Sequence, residues 1–164
     1  FSVASTTLEH GVLADVYNLH LEAGGTGEDQ RISRAQSEQL AAFITEHSAD
    51  RPVIVGGDFN TVSTPLPIVL ASGPYPAPAY GLVAAELRHA DGVSMWTNFN
   101  PNGRFPPQPL DYLLYSPGAL LLEEGHVFNP HDLDPAAASE VGLDPEAVRR
   151  LSHHRPLVAE FEWR

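Results

Sequence analysis

The stretch Val53-Ile54-Val55-Gly56-Gly57-Asp58-Phe59-Asn60 decides how this chain is read. Three β-branched residues in a row favour a short buried strand. The two glycines after them let the backbone bend or come close to a ligand. Side chains alternate across a strand, so Asp58 and Asn60 are expected on one face and Phe59 on the other. A carboxylate and an amide two residues apart can ligate Mg²⁺, or position its waters, and hold a phosphoryl oxygen. The plainer alternative is an Asx-type turn that ends the strand.

Upstream, Val12–Leu21 is mostly apolar and β-prone, as a strand buried on both faces would be. Gly24–Gly27 is a loop, and Thr26 and Asp29 have the spacing of a capping box. A helix is predicted from about Asp29 to His47, with Ile32, Ala35, Leu40, Phe43 and Ile44 near one face. Strand, helix and strand in succession place the chain in the α/β class. Phe1–Thr7 is a further strand candidate.

Downstream, Thr64–Pro78 holds five prolines and little regular structure is expected there. Tyr80–His89 is a helix candidate ended by Asp91-Gly92. Pro101–Pro109 is a Pro-rich loop feeding a strand over Leu110–Tyr115. Pro130–Gly142 reads as a polar insertion. Asp144-Pro145 supplies an N-cap and a first-turn proline for a helix through Arg150. Leu157–Trp163 is a closing strand. There is no internal repeat, heptad pattern or linker.

The chain's 164 residues fit one domain, and 43% apolar composition is enough for a core. Its apolar runs are too short to suggest a transmembrane segment. It has no Cys, which removes disulfides and thiolate metal sites. All nine basic residues are Arg, and the formal net charge is −12. That balance disfavours a nucleic-acid partner, because such affinity rests largely on Lys and Arg neutralising phosphates. Without Lys the Gly24–Gly27 loop cannot be a phosphate-binding P-loop. The sequence opens at Phe1 with no signal peptide, so a preceding segment is expected to have been removed, and the compartment stays open.

Three further segments carry acid–base groups at the ends of apolar runs. Asn18 and His20 share a face in the first. Asp111 begins the run to Tyr115; a buried carboxylate there needs a partner, either a His or backbone amides. His153 and His154 precede the last strand. Neighbours in an extended segment point opposite ways, so only one of them is expected to be catalytic. His10, His47, His89, His126 and His131 lack metal-ligand spacing and are read as surface groups.

Together these residues resemble the endonuclease/exonuclease/phosphatase superfamily, which includes DNase I-like nucleases and sphingomyelinases. Asn18-Leu19-His20-Leu21 is similar to the family's central His strand. Val53–Asn60 is similar to its Gly-Asp-Phe/Leu-Asn signature. Leu110-Asp111-Tyr112 is similar to its Asp-Tyr strand, and Ser152-His153-His154-Arg155-Pro156 to its closing Ser-Asp-His segment. Trp96-Thr97 sits where the family often has an aromatic–Thr pair.

The resemblance implies a four-layer α/β/β/α sandwich with its site at the strand ends. It implies that His154 is the general base, oriented by Asp111. His20 would bind phosphate or help protonate the leaving group. Asp58 and Asn60 would position metal, phosphoryl oxygen and nucleophile. Two departures stand out. His153 occupies the place of a family Asp; as a metal position it suits a transition metal better than Mg²⁺, leaving Mn²⁺ and Ca²⁺ also open. The family's N-terminal half is also absent, so this chain is expected to be the C-terminal half of the domain, completed by a companion N-terminal polypeptide. The expected activity is divalent-metal-dependent hydrolysis of a phosphoester, on a lipid headgroup or small phosphodiester. A DNase I-like nuclease and a non-catalytic binding module with a decayed site are the alternatives.

Overall fold

The structure, a computed structural model, describes residues 2–7, 13–48, 51–61, 68–69, 81–103 and 105–164. His10, Tyr80 and most of the Pro-rich stretch 64–78 fall outside these residues. Seven strands are β1 (Ser2–Thr7), β2 (Leu13–His20), β3 (Val53–Asp58), β4 (Val83–Ala84), β5 (Asp111–Tyr115), β6 (Leu120–Val127) and β7 (Leu157–Trp163). Among the described residues are the helices α1 (Gly27–His47), α2 (Pro135–Glu140) and α3 (Pro145–Leu151). The chain is α/β, with a five-stranded sheet in the order β1-β2-β3-β5-β4 and a two-stranded sheet of β6 and β7.

Strands β2 and β3 are parallel, and α1 makes the crossover that parallel pairing requires. Thr26 caps α1 through the reciprocal Thr26–Asp29 box anticipated from the sequence. Alternation along the strands sends Tyr17, Leu19, Val53, Val55 and Leu114 to one face, where they pack with Leu40 and Ile44 of α1 and with Phe59. The inward stripe of α1 is Ser33, Ser37, Leu40 and Ile44. Ala35, expected on that face, is exposed. The Ser37 hydroxyl donates to the Ser33 carbonyl at 2.9 Å, which lets this polar side chain be buried.

On the opposite face, Tyr115 of β5 meets Phe161 of β7 with ring centroids 5.0 Å apart. This contact brings the second sheet over the first.

Three expectations are corrected. The region expected to be a helix up to His89 contains β4, and Ala85 N–H continues the ladder to Leu113 O at 2.8 Å. Pairing with the edge of β5 satisfies the backbone and overrides local helix propensity. Strand β6 was not anticipated, because Glu123-Glu124-Gly125 interrupts its apolar pattern; the register shifts there, between Leu122 and Glu124. The insertion after Pro130 holds a 3-10 turn and α2, which Asp134 caps by accepting from Ala136 and Ala137 N–H.

Candidate active site

Sheet register builds the site. His20 is the partner of Asp58 across β2–β3, and Asp58 is the partner of Asp111 across β3–β5. The three residues therefore form one row on the face opposite α1. Gly57 makes this close pairing possible. Its φ is +137°, and a Cβ there would overlap the Leu19 carbonyl oxygen.

His154 reaches the row from the segment before β7. Its Nδ1 lies 2.7 Å from Asp111 Oδ2, and its Nε2 is 3.8 Å from Asp58 Oδ2. His20 Nε2 approaches the same Asp58 oxygen at 3.5 Å from an exposed position. Thr97 Oγ1 donates to Asp111 Oδ2 at 2.7 Å and accepts from Leu110 and Asp111 N–H at 3.0 and 2.9 Å. Asp111 is thus held between a hydroxyl and an imidazole.

Burial pushes the Asp58 carboxyl above its ordinary range. The Asn60 N–H pulls it back, neighbouring Asp111 raises it further, and His154 and His20 offset part of the rise. Two carboxylates facing one another at a partly buried strand end are costly without a counter-charge.

One donor atom each from Asp58, Asp111 and His154 lie within 4.8 Å of one another. Two hard carboxylate oxygens and an imidazole nitrogen suit a divalent cation, and such an ion would relieve the Asp58–Asp111 repulsion. The residues present therefore fit a metal.

Asn60 and His153 are placed differently from expectation. Strand β3 ends at Asp58, and Asn60 takes φ +48°, off the strand geometry that would have aligned it with Asp58. Its N–H donates to Asp58 Oδ1 at 2.8 Å, an Asx turn, and its amide donates to Leu21 O at 2.8 Å. The turn and the site coexist. His153 is exposed and outside the three-residue group; its carbonyl accepts from Phe99 N–H at 2.9 Å.

His89, expected on the surface, is buried. Its Nε2 lies 2.7 Å from Trp96 O, its Nδ1 3.3 Å from Asp132 Oδ2, and its ring 4.1 Å from that of Trp96. Arg155 covers Trp96 at 5.6 Å from the ring centroid. Asn98 was not singled out from the sequence. Its amide sits 2.9 Å from His154 Nε2. The only sequence signal for it was its place next to Thr97, ahead of the Asp111 strand.

Comparison with known proteins gives the family and the fold. The sequence profile of the Endonuclease/Exonuclease/phosphatase family matches residues 4–147. A sphingomyelinase of Mycobacterium tuberculosis is 42% identical over 60 residues, which is 37% of this chain and 11% of that protein. An endonuclease/exonuclease/phosphatase from Bacteroides vulgatus superposes with a TM-score of 0.63 at 19% identity, covering 94% of this chain and 51% of that one. Humanized D. rerio TDP2 gives 0.63 at 17% identity, covering 98% and 59%. The human Nocturnin catalytic domain, solved with a bound sulfate anion, gives 0.54 at 24% identity, covering 95% and 49%. The chain thus matches about half the length of these solved structures.

Proposed function

The chain belongs to the Endonuclease/Exonuclease/phosphatase family, and from that premise we propose that it hydrolyses a phosphodiester with the help of a divalent metal. The observation that carries this reading is the 2.7 Å contact of His154 Nδ1 with Asp111 Oδ2, beside the Asp58 carboxylate. A carboxylate that accepts from Nδ1–H leaves the lone pair of the neutral ring on Nε2, where it can take a proton.

His154 Nε2 removes a proton from water, and the resulting hydroxide oxygen attacks phosphorus. The bond to the leaving oxygen breaks opposite to it, and that oxygen is protonated as it departs. His20, exposed at the rim, donates to the phosphoryl or leaving oxygen. Asp111 orients His154 and stabilises the imidazolium that forms. Asp58 and Asp111, the two carboxylates of the group, would hold the metal, which would supply charge neutralisation at the phosphoryl oxygens and the attacking water, while His154 keeps Nε2 for the proton. Asn60 braces Asp58 through the Asx turn.

Two observations favour a lipid headgroup or small phosphodiester over DNA. One is the net charge of −12, and the other is the segment shared with a sphingomyelinase. The same reading takes these residues as the C-terminal half of the domain, and matched solved chains about twice as long support it.

The deciding experiment assays hydrolysis of bis-p-nitrophenyl phosphate by the intact protein with Mg²⁺, Mn²⁺, Ca²⁺ and Zn²⁺, alongside plasmid nicking. Metal-dependent release of nitrophenol, abolished in His154→Ala, is expected. No turnover with any metal would overturn the reading, and nicking without nitrophenol release would move it to a nuclease.

A further inference from the structure

Asn98 and His154 are directly opposite each other in an antiparallel bridge. The flanking bonds are Phe99 N–H to His153 O at 2.9 Å and Arg155 N–H to Thr97 O at 2.7 Å. This pattern makes 98/154 a non-hydrogen-bonded pair, the kind whose side chains come closest. On its other side Asn98 exchanges backbone bonds with Gln108, at 2.9 and 3.0 Å. The backbone of residue 98 is therefore held from both sides, and its short side chain is aimed at the imidazole.

The chemistry of that contact is determined by Asp111. The carboxylate 2.7 Å from Nδ1 already accepts from Thr97, so Nδ1 must donate to it. In the neutral ring Nε2 is then an acceptor, and the Asn98 group 2.9 Å away must be the amide NH₂. We propose that Asn98 is a positioning residue for His154, holding the resting ring from the Nε2 side while Asp111 holds it from the Nδ1 side; the amide turns aside when the same Nε2 lone pair takes the water's proton. The ring loses its freedom to swing about χ1 and χ2, and Nε2 stays on the side facing Asp58. The consequence for turnover rests on the phosphodiesterase reading above; the contact itself does not.

The test uses Asn98→Leu, which keeps the side chain's size but cannot hydrogen-bond, with Asn98→Ser as the conservative variant. In ¹⁵N NMR at one fixed pH, the His154 Nε2 resonance of the protein is expected to shift in Asn98→Leu as its donor is lost. In the nitrophenol assay kcat is expected to fall roughly 10- to 100-fold with KM changed less than about twofold, and Asn98→Ser to recover part of it. Circular dichroism matching the parent excludes a folding defect. If Asn98→Leu misfolds, the same shift and kcat loss are read in Asn98→Ser. An unmoved Nε2 resonance in a folded variant overturns the proposal whether or not the protein is an enzyme. A moved resonance with unchanged kcat also overturns it. Failure of the parent protein to hydrolyse any phosphodiester sinks the functional reading instead, and the Nε2 shift alone then decides the contact.

Discussion

Asp58 and Asp111 are direct register partners across β3 and β5, so two carboxylates stand side by side at the ends of two interior strands. Like charges directly opposite in a sheet oppose folding. Burial adds to this by raising the Asp58 carboxyl, with Asp111 raising it further. A group whose folded-state pKa is raised contributes stability at low pH and loses it as pH rises through the folded value. The thermal midpoint of the parent protein is therefore expected to fall, relative to Asp58→Asn, as pH climbs from below about 4. The two curves converge at lower pH, where the carboxyl is protonated in both folded and unfolded chains. A divalent metal should raise the parent's midpoint more than the variant's. Melting curves between pH 3 and 8, with and without Mn²⁺, check both; parallel curves would contradict the first.

His153 and His154 are adjacent but differently placed. His154 touches Asp111, whereas His153 is exposed and lies outside the donor group. Turnover in His154→Ala is expected to drop roughly 10²- to 10⁴-fold, the usual size of general-base loss. His153→Ala should stay within about twofold of the parent, because its imidazole is exposed and, among the described residues, outside the donor group. Steady-state hydrolysis of bis-p-nitrophenyl phosphate measures both, and a large loss in His153→Ala would bring that ring into the reaction.

Gly57 and Gly92 both have positive φ, yet only Gly57 is crowded. Gly57→Ala would drive a methyl into the Leu19 carbonyl and push β2 from β3, the strands that carry His20 and Asp58. A loss of about 3 kcal/mol or more is expected. Gly92 has nothing within 4 Å of its would-be Cβ, so Gly92→Ala should cost only the left-handed backbone term of about 1–2 kcal/mol. Urea denaturation of the two variants gives the comparison, and equal losses would remove the steric explanation.

His89 secures the segment that leads to Thr97 and Asn98 through its 2.7 Å contact with Trp96 O. Removing a buried side chain that hydrogen-bonds a backbone carbonyl typically costs about 1–3 kcal/mol. For a domain of this size His89→Ala should lower Tm by roughly 2–12 °C. The exposed His131 has its Nε2 3.8 Å from Glu146 Oε1, and His131→Ala should change stability by about 0.5 kcal/mol or less. Calorimetry on the pair distinguishes an anchoring His89 from an ordinary buried one.

Local pattern sufficed for some elements. Alternating apolar residues, the Thr26–Asp29 box and the Asp144-Pro145 start each encode their element within a few residues. β5, α1, α3 and β7 accordingly fell where they were expected, give or take a residue or two at the ends. β4 and β6 did not, because their conformation is imposed by partners distant in sequence, Leu113 for one and the β7 ladder for the other.

By itself, the sequence determined the α/β class and set out Asp58, Asp111, His20 and the His153–His154 pair as candidates, since strand period and residue chemistry are local properties. Only the tertiary structure decided which groups meet. Parallel pairing of β2 with β3 and antiparallel pairing of β3 with β5 put His20, Asp58 and Asp111 in one row. The bridge at Asn98 then set His154 against Asp111 and left His153 in solvent. Contacts between residues tens of positions apart depend on register and burial, and no short window of sequence contains either.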